Sequence, residues 1–524
     1  MSSVPPHAII SEGAGIINAM SLTRVPCCLL LPLLAAGAPP TSIPARSGVE
    51  FVTSSPALAA AWAFAVPEAM GYVQTGRSAG FIPSYWAGLL DRPAFYARDV
   101  AHAALGAHVL GLDAENAAML RVFCASATAG ARALFPLWSF AFNGSVYPLD
   151  YVNDTVYVRE TPTPFDLLTA AGQLAAWTGD ADYFTDPALW RAWEAWAGGA
   201  FLALHDPRGD GVAGVAAPTG NIFLGAASYV ENGERFVVAA DALAKQAAAL
   251  EAFAGFSAAR GNATGAAAAA AAALALRARF QAAPWWDAAQ GYARGQTAAG
   301  PLFGSKETQA IFPLRHALVQ PGARADAHLA ALLAAMPAAG TEARTYMPEA
   351  LFLWGRPTDA AAFIAQLLVD PRNTYPEVSF TLVADLTVHL LGLDVDCGAA
   401  GGGGVTVTSL GGALALPAGV DDAGVRHMPA CGGKLSLTQA ASVAGGGAVS
   451  TLAVEGGGGL DHGVTWQARV RGSFAQLLVN GVAADAQPGV TATGLAFSSV
   501  TVQAGSGEVV SVAIPAAAAA GAAS

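Results

Sequence analysis

The hydrophobic period of this chain changes at one place, and that change limits its architecture more than any single motif. Around Cys397–Gly404, "CGAAGGGG", a cluster of glycines interrupts the sequence. Such a run cannot sit inside a regular element without a large loss of backbone entropy, so it marks a boundary. Before it, apolar residues recur at helical spacing; after it, they alternate. The runs "GVTVTSL", "KLSLTQA", "VTWQARVRGSFAQLLVNGV" and "EVVSVAIP" are short, half-apolar and separated by Gly, Pro and Asp. They predict a small antiparallel β-sandwich over 403–515, with Asn480-Gly481 as a hairpin turn. Few groups in this tail could do chemistry, so it reads as a structural module.

The part before the boundary counts into helices. Helical stretches begin near Ala57, Ala94, Asp113, Pro164, Pro187, Gly233, Ala263, Glu307, Ala325, Pro348, Pro357 and Pro376. Proline at several starts fits, because the first helical residue has no use for its N–H. Even-numbered stretches are apolar all round apart from ionisable groups near their starts. Odd-numbered ones, such as "TDPALWRAWEAWAGGAFLAL", are amphipathic. An inner and an outer ring of helices would produce this alternation, since inner helices are enclosed on every side. The fold class is therefore multidomain α and β: an (α/α)6 toroid over 49–396, then the sandwich. The toroid would present the starts of its inner helices at one mouth.

That arrangement gives meaning to "FYARDVAHAALGAHVLG" (95–111), an apolar helix that opens with Arg98, Asp99 and His102. Further polar groups stand at comparable places: Asp154 and Glu160 before the fourth helix, Glu231 entering the sixth, Lys306 and Glu307 at the eighth, Glu349 at the tenth, and Glu377 at the twelfth. Trp86, Tyr229 and Tyr346 lie in the same segments. Ring faces with carboxylates between them suit a sugar, whose C–H faces stack while its hydroxyls bond to acids. Each group also has a plainer reading. Asp99 with Arg98 could be a helix-end ion pair, His102 a core hydrogen-bonding residue, and the glutamates complements to a helix N-terminus.

Composition narrows the partners. With 54% hydrophobic and 12% charged residues the chain is a folded globular protein, and its net charge of −12 argues against nucleic acid or an anionic membrane surface. A neutral glycan or other small molecule fits better. The sequence calls for no cofactor and fixes no oligomeric state. From Met20 the run "MSLTRVPCCLLLPLLAAGAPP" has the charge, apolar length and small residues of a signal peptide, which makes 1–48 a leader and the protein secreted, with Met1 or Met20 as its start. It is too short to span a membrane. Sequons at Asn143, Asn153 and Asn262 agree with that route. The cysteine spacing suits no metal site; Cys397 and Cys431 are either a disulfide pair or buried thiols.

The helical alternation and these acids resemble the (α/α)6 six-hairpin glycosidases, the superfamily that includes glucoamylases, over about Val49–Asp394. "YARDVAH" is similar to the Trp-x-Arg-Asp-x-Ala run entering their second helix, where Arg-Asp binds the terminal sugar. "YVENGERFVVAADALA" resembles the Trp-Glu-Glu segment that supplies the general acid at the sixth, although Glu231 here is followed by Asn232 and Gly233 instead of a second acid. "TYPEVSF" stands where the general base enters the twelfth. The resemblance implies a glycoside hydrolase in which Glu231 protonates the leaving oxygen and Glu377 activates water, with Glu349 as the rival for either role. Glutamates facing each other from opposite sides of the ring imply inversion. Two other readings stand beside this one. A polysaccharide lyase of toroid-plus-sandwich build would draw on His102, Arg98, Lys306 and Tyr229, and a non-catalytic glycan-binding protein would keep the aromatics without paired acids.

Overall fold

A computed structural model describes residues 44–230, 235–304, 307–398, 404–412, 415–441 and 447–515. The signal-like segment, Glu231 and Lys306 lie outside the described residues. So does the side chain of Glu307.

Twelve helices make the toroid: α1 (Pro56–Gly71), α2 (Ala97–Val109), α3 (Asp113–Ser126), α4 (Thr163–Thr178), α5 (Pro187–Ala197), α6 (Ala240–Ala259), α7 (Ala263–Phe280), α8 (Glu307–Arg315), α9 (Ala323–Ala335), α10 (Met347–Leu353), α11 (Pro357–Leu368) and α12 (Pro376–Ala384). The even members pack in the order α2, α4, α6, α8, α10; α10 meets the turn 385–389 that continues α12, and α12 packs on α2, which closes the inner ring. The odd members lie outside it. α2 is buried along nearly its whole length, polar starts included. By contrast, α5 buries Leu189, Ala192, Trp193 and Trp196, a single stripe at i, i+3, i+4 and i+7. Local chemistry sets its start: Pro187 opens it, and the Asp186 side chain accepts from the Ala188 and Leu189 N–H groups.

Two starts differ from the sequence expectation. Residues Ala94–Tyr96 are a strand paired with Ser139–Ala141, so α2 begins at Ala97. The sixth helix begins at Ala240, after a strand, Val238–Ala239, that pairs with Gly295 and Gln296. Helical periodicity cannot separate a short buried strand from the helix that continues it, because both are apolar throughout.

The β region has strands β1 (Glu50–Thr53), β2 (Asp394–Asp396), β3 (Val405–Gly411), β4 (Asp422–Ala430), β5 (Gly433–Ala440), β6 (Val449–Gly456), β7 (Val464–Arg471), β8 (Gln476–Val479), β9 (Val482–Asp485), β10 (Gln487–Val490), β11 (Ala496–Ala504) and β12 (Val509–Ala513). One sheet runs β1-β4-β5-β6-β12-β8-β9, the other β2-β3-β7-β11-β10. All ladders are antiparallel except β3 with β7. Asn480 and Gly481 both take positive φ in the β8–β9 turn, as the dipeptide predicts. β1 and β2 lie in the part of the chain assigned to the toroid, yet each covers a sheet edge, β1 against β4 and β2 against β3. An edge strand is selected by its unpaired neighbour, wherever in the chain it comes from.

The described helices and sheets form one compact unit. The sandwich meets the C-terminal ends of the inner helices: His108 of α2 bonds to the Pro429 carbonyl at 3.1 Å, and the Cys431 N–H donates to the Trp177 carbonyl of α4. Cys397 and Cys431 are joined by a disulfide; Cys124 is free and buried. The opposite end of the ring, where the inner helices start, is left to the loops.

Candidate active site

Asp99 stands in the first turn of α2 and Glu377 in the first turn of α12, just after Pro376, and the two helices are neighbours. A carboxylate there sits well against the helix dipole. The Tyr375 hydroxyl donates to Asp99 Oδ1 and also lies against Glu377. Glu377 is fully buried. Its Oε1 is 3.0 Å from His102 Nδ1, and its Oε2 makes no hydrogen bond. His102, one turn beyond Asp99, stacks on the Tyr346 ring at 3.8 Å between centroids and 14° between planes. Burial, then the charges of Asp99 and Glu342, push the Glu377 carboxyl well above its ordinary range. Burial and the cations Arg315, Lys245, His389 and Arg98 hold His102 well below its own.

Arg98 is held on the same side. Its guanidinium meets Glu342 at 2.7 Å and Glu160 at 3.6 Å, and lies 5.2 Å from the Tyr229 ring centroid. Glu160 in turn accepts from Trp138 Nε1 at 3.3 Å. Thus Arg98, Asp99, His102, Glu160, Tyr229, Tyr346 and Glu377 come together although they are spread over most of the toroid sequence.

Three expected members are placed differently. Glu349 pairs with Arg315 at 2.5 Å and has His389 at 3.9 Å. His389 lies twelve residues beyond Glu377 on the same helical run, so Glu349 sits deeper in the ring than Glu377. The reason is an additional short helix, Thr341–Thr345, which takes the outer position and supplies Glu342 in its stead. Although burial alone would raise the Glu349 carboxyl, Arg315 and His389 hold it below its ordinary range. Asp154 is on a surface hairpin, 2.6 Å from Arg132, and lines a separate cleft with Tyr157 and Arg159. Trp86 is half-buried, donates to the Leu89 carbonyl and packs edge-on against Phe142.

The sequence reading missed a second polar layer behind His102. Lys245 of α6 pairs with Asp166 of α4, and Arg315, Glu349, Asp385 and His389 line one small cavity together with His102. Asp385–His389 is a π-helical turn continuing α12, a local feature that often marks functional positions. Isolated charges inside apolar runs, such as Lys245 in "DALAKQAAAL", were the available signal. Among the described residues no cluster of His, Cys, Asp or Glu is arranged to hold a metal ion, and no helix is long and apolar enough to cross a membrane.

Fold and site define a toroid-plus-sandwich protein whose ring axis is lined by carboxylates and aromatics. Among solved structures the chain is similar to the α-L-rhamnosidase of Dictyoglumus thermophilum, at 12% identity and a TM-score of 0.54 over 88% of this chain and 50% of that one. It is also similar to the GH78 rhamnosidase of Bacillus sp. GL1, at 15% identity and a TM-score of 0.52 over 78% of this chain and 41% of the other. The chain thus spans about half the length, or less, of the rhamnosidases it matches. At these identities the likeness is one of fold. No family model matches the chain, and no curated protein sequence matches it.

Proposed function

We propose that the protein is a glycoside hydrolase acting on a neutral glycan or glycoside by a two-carboxyl, inverting mechanism. The observation that carries this reading is Glu377, a fully buried carboxyl beside Asp99 with Oε2 unbonded. In the proposed reaction Glu377 Oε2 takes a proton from the attacking water while Glu231 protonates the leaving oxygen, and Arg98 and Asp99 hold the terminal sugar. Chain order and the resemblance to glucoamylase-like glycosidases support the role of Glu231. The fold shared with two enzymes named as rhamnosidases makes an α-L-rhamnoside a natural first substrate to try.

The crowding of Asp99, Glu160, Glu342 and Glu377 around one arginine favours hydrolysis over lyase chemistry. A lyase must neutralise a uronate carboxylate, whereas Arg98 is already bound by Glu342 and Glu160. Screening the purified protein against aryl glycosides and aryl glucuronides, while following ultraviolet absorbance for a new conjugated double bond, tests the reading. Release of phenol from a neutral glycoside supports it; unsaturated product from a uronide polymer overturns it. We further propose secretion and glycosylation, supported by the segment from Met20, the disulfide, and the exposure of Asn143, Asn153 and Asn262.

A further inference from the structure

The imidazole of His102 is built in more firmly than a spare core histidine requires. Its ring is stacked on Tyr346, its Nδ1 is 3.0 Å from Glu377 Oε1, and both partners are buried. Charged or titratable groups face it from several packed elements. Arg98 and Asp99 come from its own helix, Lys245 from α6 and Arg315 from α8. Glu349 of α10 and Asp385 and His389 of the π turn line the cavity on its other side. The two Glu377 oxygens are thereby divided: Oε1 is committed to His102 and Oε2 is not committed to any partner.

From this geometry we propose that His102 is the proton partner of Glu377, exchanging one proton between Oε1 and Nδ1, so that the pair presents Oε2 as the base. The proposal rests on the hydrolase reading above. At rest one proton lies in the contact between Oε1 and Nδ1. As the glycosidic bond loosens, the oxocarbenium-like centre favours a carboxylate on Glu377. The shared proton then moves from Oε1 to Nδ1. Water gives its proton to Oε2 and its oxygen bonds to the anomeric carbon, while the leaving oxygen takes the proton of the general acid. The pair ends with one extra proton and the acid with one fewer, and exchange with solvent restores both. The titration belongs to the pair.

The test uses His102→Phe, which keeps the stack on Tyr346 without an acceptor, and His102→Asn, which places an amide near Nδ1 and cannot accept a proton. The substrate is the 4-nitrophenyl glycoside turned over fastest in the screen. Both variants should lose kcat at neutral pH by about 100-fold, the lower range for one proton-transfer group, with KM little changed. Their acidic limb should move up by about one pH unit or more, because the glutamate must then ionise unaided. If His102→Asn keeps the wild-type limb and kcat, the proposal is overturned. Infrared spectroscopy supplies a readout without turnover: a protonated-carboxyl band that vanishes in Glu377→Gln and shifts in His102→Phe. Absence of that band in the wild type also overturns the proposal. A wild type inactive on every glycoside would sink the hydrolase reading and the catalytic part of the proposal with it, while the band still reports whether the proton is shared.

Discussion

Gly106 of α2 lies directly against the Phe380 carbonyl of α12, so close that any β-carbon there would collide with the oxygen. This contact closes the inner ring and sets the distance at which Asp99 and His102 meet Glu377. Gly106→Ala must force the two backbones apart, since a carbonyl oxygen cannot swing away as a side chain can. The expected destabilisation is about 3 kcal/mol, the upper part of the range for overpacked cores, read by chemical denaturation. Hydrolysis should fall further than the folded fraction does, because the site straddles this contact.

Glu377→Gln should reduce hydrolysis by a similar factor on every leaving group, since the nucleophilic water is needed in each case. Glu231→Gln should spare activated aryl glycosides and hurt substrates with poor leaving groups, which alone need a proton. A series of substituted phenyl glycosides measures both slopes. Equal losses across the series for Glu231→Gln would remove it as the acid. In a substrate complex, Glu231 and Glu377 carboxyls roughly 6.5–9.5 Å apart would fit inversion.

Asp99 is, after burial, the largest influence raising the Glu377 carboxyl. Removing its negative charge makes ionisation of Glu377 easier, so the Glu377 value falls. Asp99→Asn should therefore shift the acidic limb of the kcat/KM profile to lower pH, by about one unit for a close like charge. It should also raise KM if Asp99 holds a sugar hydroxyl. A limb that moves to higher pH would contradict the arrangement.

Glu349 gives the opposite sign. Its folded value lies below the ordinary one, so its ion pair with Arg315 contributes stability above the unfolded value, about pH 4.3, and loses it as pH falls through the folded value. Glu349→Gln leaves the largely buried Arg315 without its partner and should cost about 3 kcal/mol, the low end for a broken buried pair. Denaturation curves between pH 3 and 7 should show the variant less stable at neutrality and less sensitive to acid.

Cys397 and Cys431, separated by 34 residues, tie the end of the toroid to strand β4's far turn. Reduction, or Cys431→Ser, releases that loop in the unfolded chain and should lower stability by about 2–4 kcal/mol. The inner-ring cluster is remote from this link, so activity of the folded variant should persist.

Much of the architecture was legible in the chain because it follows from local periodicity. The switch from a helical to an alternating pattern separates rings from sandwich, the proline-led starts fall within a few residues of most helix ends, and Asn480-Gly481 names its own turn. Arg98, Asp99, His102, Glu160 and Glu377 could be picked out because a charge in an otherwise enclosed helix needs a reason. What tertiary structure alone decided is depth and partnership. Glu349 follows a proline at an inner start just as Glu377 does, yet the short helix Thr341–Thr345 sets it a layer deeper and puts Glu342 at Arg98. The bond between His102 and Glu377 joins residues 275 apart, and edge strands β1 and β2 were recruited across the boundary by unpaired neighbours. Periodicity records which face of an element is buried; it holds no information about which distant group that face will meet, because that is fixed only when the ring closes.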